Sequence, residues 1–366
     1  MLRKSIARQV FTIVLSLIFG FTVSAKTSET TGDNHEQTEE KAFNAKEMIL
    51  HHIADAHDWH FWDVTDEDGV KHPVSLPLPV IVSHNGQLDV FLSSAFHHGE
   101  TPVTKGNNTY VLHHGEIYVA KDETGELTYD DQHHPINAKA LDLSMTKNVV
   151  SMLFSIALLL LIFISVGRSY KKNGGIPRGL AGVIEPLVLF VRDDIARPNI
   201  GEEKYKRFLP FLLTVFFFIW INNLLGLIPI LAPNLTGNIA VTMVLALFTL
   251  ILTNVSGSKG YWSHILLPPV PWPMWFIMIP VEIIGIFTKP FALMVRLFAN
   301  ITAGHILILS LVSLIFIFKS VAMSALSIPF MVFMNVLELL VAALQAYIFT
   351  LLSALFIGMA TEEAHH

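Results

Sequence analysis

Between Asn148 and Met359 the chain is a succession of five long apolar runs, and this feature constrains its fold more than any other. A helix needs about 20 mostly apolar residues to cross a bilayer, and backbone polar groups in lipid must be satisfied within the helix itself. The runs extend from Asn148 to Val166, Phe208 to Leu231, Asn238 to Val255, Met274 to Phe318 and Ala322 to Met359. The last two are far longer than one perpendicular span, so they must be strongly tilted, bent or partly in the membrane plane. Residues 208–357 carry only six charged side chains. Charged residues make up 15% of the whole chain, against about a quarter in soluble proteins, which argues against an ordinary soluble enzyme. There is no cysteine, which excludes a disulfide scaffold, a thiolate metal site and a cysteine nucleophile. The net charge of −6 gives no basis for nucleic-acid binding.

The charge that the membrane half lacks is concentrated ahead of it. Residues 26–146 hold 21 of the 30 acids and 7 of the 24 bases, a balance of −14. Before them, Arg3, Lys4 and Arg8 precede the apolar run Val10 to Val23 and the small residues Val23-Ser24-Ala25. This reads as a signal peptide over 1–25, with an uncleaved anchor as the alternative; either way residue 26 onward starts outside. Residues 27–42 are polar enough to be a linker without fixed structure. Asn44 and Glu47 have capping-box spacing for a short helix reaching about His57. From Val74 to Tyr129, runs such as VIV, LDVFL, TYVL, EIYVA and ELTY alternate with Gly, Asn and Pro and predict strands. The pairs His51-His52, His97-His98, His113-His114 and His133-His134 invite a metal reading. Adjacent strand residues point to opposite faces, so each pair is a poor chelate and a solvated surface is the plainer reading.

Loop charge orients the spans. The dense basic stretch from Arg168 to Arg207 is cytoplasmic by the positive-inside rule. Within it Leu180, Ile184, Leu187, Val191 and Ile195 define an amphipathic helix lying along the inner surface, with Arg192, Asp193 and Asp194 in water. Five crossings leave the TEEAHH tail inside. The expected fold class is an all-α polytopic membrane protein of five embedded helices, the last two long and tilted, with one in-plane amphipathic helix. A small β-rich extracytoplasmic domain over 26–146 precedes the membrane domain, 147–366.

An ionisable side chain inside a span is costly and is a functional candidate by default. Here the candidates are Glu282, Lys289, Arg296, His305, Lys319 and Glu338, with Lys319 read as snorkelling between the last two helices. At about 100° per residue, Arg296 and Asn300 share a face, Arg296 and His305 are about 180° apart, and Glu338 and Gln345 lie on one stripe. An arginine on one face with a titratable pair behind it suits a proton path. A structural ion pair of Arg296 with Glu282, fourteen residues earlier, is the competing reading, weakened by the kink expected at Pro290.

These residues resemble subunit a of the F-type ATP synthase. The resemblance rests on KPFALMVRLFANITAGH (Lys289 to His305), ELLVAALQAYIFTLLS (Glu338 to Ser353) and Asn222-Asn223 before LLGLIP, and it covers residues 148–360. It implies that Arg296 is the essential arginine facing a ring of hairpin c subunits, with Gln345 near it. It also implies that Asn300, His305 and Glu338 line aqueous half-channels, with Glu282 in the same proton path. The commonest bacterial pattern has glutamate at the position of His305 and histidine at that of Glu338, so this chain carries the pair reversed.

The implied partners are the c-ring, the peripheral-stalk b subunits, the rest of the ATP synthase and membrane lipid, in a bacterial inner membrane with the amino terminus outside and the carboxyl terminus inside. The chain would be a non-catalytic, ion-translocating subunit. No cofactor or resident metal follows from the sequence. A stand-alone secondary transporter is the alternative, but it would show repeated halves with matching broken helices, and no internal repeat is visible. A sensor would need a cytoplasmic output domain, and an enzyme a nucleotide loop or nucleophile motif. Whether the ion is H⁺ or Na⁺ is decided by the ring, not by this chain.

Overall fold

The computed structural model describes residues 55–65, 71–99, 101–130, 132, 134–228, 234–268 and 270–362. The signal peptide, the polar linker and the helix expected from Asn44 lie outside the described residues, save that 55–57 are not helical.

The amino-terminal part is a β-domain with, among the described residues, eight strands: β1 Asp58–Thr65, β2 Lys71–Pro77, β3 Pro79–His84, β4 Gln87–Leu92, β5 Val103–Lys105, β6 Asn108–His113, β7 Glu116–Ala120 and β8 Leu141–Asp142. They form an antiparallel pair β1-β2 and two three-stranded sheets, ordered β4-β3-β8 and β5-β6-β7. The β3–β4 hairpin turns on Asn85-Gly86 and β6–β7 on His114-Gly115, all four with positive φ, as two-residue hairpin loops require. Val80, Val82, Phe96 and Tyr110 are fully buried between the sheets. The Tyr110 hydroxyl donates to Asp89 Oδ2 at 2.7 Å; burial first, and this bond second, push its pKa up to about 12.

Three sequence expectations change here. ELTY makes only an isolated bridge, Tyr129 to Pro135, because the Asn137 side chain takes the Thr128 N–H at 2.7 Å. The strands β1, β2, β5 and β8 lie outside the runs read from sequence. The strand argument against the histidine pairs also does not apply to two of them: His114 lies in a turn and His97 in a 3-10 segment, Ser93–Gly99. The rings of His113 and His114 are therefore 4.3 Å apart. Among the described residues, no three His, Asp or Glu side chains converge as a metal site would need.

The membrane half contains α1 Lys147–Lys172, α2 Leu180–Phe190, a π-helical segment Val191–Ala196, α3 Arg197–Ile200, α4 Tyr205–Gly226, α5 Ile239–Val255, α6 Lys259–Leu266, α7 Trp272–Phe318 and α8 Val321–Thr361. Four of these, α1, α4, α7 and α8, are long and apolar enough to cross a membrane; a fifth span arises if α5 and α6, bent by 100° at their junction, count as one. The expected amphipathic helix is present, but its stripe faces the protein core. Ile184, Val191 and Ile195 are buried with Phe208, Leu212 and Ile357, and Leu180 is exposed. On its wet side Asp193 bridges Arg192 and Arg197, at 2.8 Å each.

The core of the bundle is α8 packed against α4, α5 and α7. Ala342, Ala346, Ser353, Ala354 and Gly358 give α8 a face of small residues, which lets helix backbones approach closely where apolar burial gives no net drive. Gly358 is the extreme case: a Cβ there would collide with the Asn199 carbonyl. The far end of α8 is held by Lys204 Nζ on the Thr361 carbonyl and by Ser258 N–H on that of Ala360, at 2.8 and 2.7 Å. Against α8, α7 sets Leu293, Leu297 and Ile301, four residues apart and all buried. The helix α7 runs unbroken through Pro290, and Lys319 ends it in a left-handed turn before α8.

Candidate functional site

The two long helices bring the sequence candidates together in two groups and leave a third apart. On α7 the residues Ala292, Arg296, Ala299 and Ala303 recur every three or four positions, and all are exposed, as is Asn300. Arg296 therefore stands on an outward face flanked by alanines. Among the described residues it makes no ion pair, and the expected alternative partner Glu282 instead faces His264 on α6, Oε1 to Nδ1 4.0 Å. The ion-pair reading of Arg296 with Glu282 is thereby overturned. No hydrogen bond joins Arg296 to Gln345, which is buried on α8.

Opposite that face, as helix periodicity predicts, α7 turns His305 inward. Its Nδ1 lies 3.8 Å from Glu338 Oε1, with 18% and 6% of the two side chains exposed. The pair is fitted by Gly304, where a Cβ would come within 2.8 Å of Glu338 Oε1. Glu338 Oε2 has no hydrogen-bond partner. Below it on the same stripe of α8, Asn223 of α4 donates Nδ2 to the Ala342 carbonyl at 3.2 Å. Its Oδ1 accepts from Thr236 at 2.6 Å. The neighbouring Asn222 returns its amide to Phe218 at 2.7 Å, leaving its own oxygen buried and unpartnered. Asn223 thus ties α4 to α8 between Glu338 and Gln345.

Glu282 belongs elsewhere. It precedes His305 by 23 residues of continuous helix, roughly 35 Å at about 1.5 Å per residue, about a full hydrocarbon thickness. Near its end of the bundle, a cleft between α5, α6, α7 and α8 is lined by Thr253, Asn254, Tyr261, Lys289 and Phe356. Lys289 Nζ lies 5.7 Å from the Phe356 ring centre, and Tyr261 donates to Asn254 Oδ1 at 3.1 Å. Sequence reasoning missed the uncharged members of these groups: Asn234, Thr236, Thr249, Thr253 and Ser353 are all buried in the bundle. Hydroxyls and amides scattered through apolar helices were the available signal, but helical hydroxyls also bond their own carbonyls, as Thr350 does with Ala346 at 2.7 Å, so the signal is diluted.

Residues 149–358 match the family described as ATP synthase A chain, and residues 48–143 match one described as a domain of unknown function. The ATP synthase subunit a of Chloroherpeton thalassium is 52% identical over 238 residues, covering 63% of this chain and 71% of its own. The ATP synthase subunit a 2 of Chlorobaculum tepidum is 44% identical over 332 residues, 80% of this chain and 92% of its own, a coverage that extends into the amino-terminal part. That of Myxococcus xanthus is 50% identical over 232 residues, 62% and 76%. These similarities favour an ATP synthase subunit over the stand-alone transporter.

Proposed function

The chain belongs to the ATP synthase A chain family, a non-catalytic membrane subunit of the Fo sector concerned with proton transport, and from that premise we propose that Arg296 is the stator charge of the proton path. The observation that carries this reading is an exposed guanidinium on a face of small residues in a membrane-spanning helix. A charge at that depth needs a counter-charge from outside the chain. A ring of hairpin c subunits, each with one buried carboxylate, provides it, and the alanines flanking Arg296 leave room for their close approach.

The ring carboxylate travels through lipid neutral, because ionised it would be too costly there. Opposite the Arg296 guanidinium it ionises. Arg296 also separates two aqueous half-channels. The outer one includes His305 and Glu338, with Asn300 at the ring face and Gln345 further along α8. The inner one includes Glu282 and the cleft with Lys289. Support for the division comes from the helix length between Glu282 and His305 and from Arg296 lying between them in α7. Each proton moved gains about 2.3 kcal/mol per 100 mV. In this reading the β-domain faces outward and the carboxyl terminus inward in a bacterial inner membrane, with the peripheral-stalk b subunits alongside.

The test is Arg296→Lys in the assembled enzyme. Lysine keeps the charge but loses the planar fork and is more strongly hydrated, so ATP-driven proton pumping should fall about a hundredfold, as when a preorganised electrostatic group is removed. Pumping at the unsubstituted rate in Arg296→Lys vesicles overturns the assignment.

A further inference from the structure

The β-domain meets the first span without a spacer. The Lys147 N–H donates to the Ala56 carbonyl at 2.8 Å, and the Asn148 N–H to Asp55 Oδ1 at 3.1 Å. An aspartate thus caps the start of α1 from 93 residues away. Beside it His57, buried, holds Asp142 Oδ2 through Nε2 at 2.6 Å. Asp55 and Asp58 both act electrostatically on Lys147, and Lys147 in turn lies within electrostatic reach of His305.

Below this seam α1 carries Asn148, Ser151 and Ser155 at positions i, i+3 and i+7, so they share one helix face. Their exposures are 4%, 1% and 0%, while Leu153, Phe154, Leu160 and Leu161 are exposed. Asn148 Oδ1, Ser151 Oγ and His57 Nδ1 are buried without a hydrogen-bond partner, as is Glu338 Oε2. Polar atoms left dry inside apolar surroundings are costly, and bound water is the ordinary means of satisfying them.

We propose that the seam between the β-domain and α1 is the outer mouth of the proton path. Water-borne protons pass Asp55 and Lys147, then Asn148 and Ser151, to reach His305 and Glu338. The inference rests on the assignment of that pair to the outer half-channel, and it gives the amino-terminal domain, whose matched family has no described function, a part in proton entry. The domain's −14 balance raises the local proton concentration at the mouth, as clefts of one charge sign do for their counter-ions.

The chain has no cysteine, so Ser151→Cys introduces the subunit's sole thiol with little change of shape. The assembled ATP synthase is placed in vesicles with the β-domain outward and treated from outside with silver ion and with a membrane-impermeant cationic thiosulfonate. Ser151→Cys should be modified, and its passive proton conductance should then fall about tenfold, within the range that charge focusing controls; lipid-facing Leu161→Cys should not react. Asp55→Asn, which keeps the oxygen that accepts from Asn148, should slow conductance without loss of subunit from the complex. An unreactive Ser151→Cys overturns the proposal. If His305→Cys reacts from outside in the same vesicles, water reaches the pair by another route and the functional reading stands. If Arg296→Lys also pumps normally, that reading has failed as well.

Discussion

In the β-domain, charged groups pair at the surface: Lys139 meets Glu116 at 2.5 Å with both side chains more than half exposed. In the bundle, Glu338 sits 3.8 Å from His305, almost wholly buried, with one oxygen unpartnered. The first arrangement is cheap in water; the second is held in place by the close packing of α7 against α8. The difference teaches where substitutions should register. An exposed pair is screened by solvent and contributes little, whereas removing one member of a buried pair leaves the other without compensation.

Breaking the buried pair should have the largest effect. His305→Glu sets two carboxylates together and raises their proton affinity, and Glu338→His sets two imidazoles face to face. Each should reduce passive proton conductance by tenfold or more, since an orphaned buried partner costs roughly 3–5 kcal/mol. The double exchange restores one acid and one base and should recover much of the loss. Conductance across the four variants decides it; a double exchange worse than both singles shows that the residues act independently.

Two glycines separate packing from proton transfer within the bundle. Gly358→Ala drives a methyl into the Asn199 carbonyl, an overpacking of about 1–3 kcal/mol, and should reduce the amount of subunit recovered in the complex. Gly304→Ala presses on Glu338 Oε1 instead. It should lower conductance several-fold while recovery stays near normal. Equal recovery defects in both would mean that Gly304 serves packing alone.

At the edge of the β-domain the effects become smaller. Burial opposes ionisation of Asp142, but the hydrogen bonds from His57 and Ser144 outweigh it and hold the carboxyl below its ordinary 3.8. A depressed carboxylate stabilises the fold above its unfolded value and loses that contribution as pH falls through the folded one. Hydrogen-exchange protection of β3 and β8 in the assembled complex should therefore be level from neutrality down to about pH 5 and drop below about pH 4. Asp142→Asn should lower it at every pH above that, by about 1–3 kcal/mol. The smallest effect belongs to Glu116→Gln: its carboxyl is held low by Lys139 and then Tyr118, yet it is exposed, and the same measurement should change by less than about 1 kcal/mol. A larger change would erase the contrast between the two regions.

Much of this molecule was readable because lipid imposes rules on sequence. Apolar runs of membrane length, ionisable residues inside them and the opposed faces of Arg296 and His305 follow from composition and helix periodicity, and the long helices α7 and α8 begin and end close to where the apolar runs do. The β-domain was less legible. Its strands are short, β1 carries a bulge between His60 and Trp62, and β8 is two residues long, so neither shows a clean alternation.

The sequence by itself determined that the chain crosses a membrane several times and that Arg296, His305 and Glu338 are its chemically expensive residues, because a charge in a span stands out against an apolar background. Tertiary structure alone decided which of them meet. His305 and Glu338 come from different helices, and the unbroken run of α7 keeps Glu282, about 21 Å along the axis, out of Arg296's reach. The Asp55 cap on α1 spans 93 residues. Helix periodicity fixes directions within one element, but contacts between elements depend on how small residues such as Gly304 and Gly358 let the backbones approach, and on bonds such as those of Asn223 that set one helix against another.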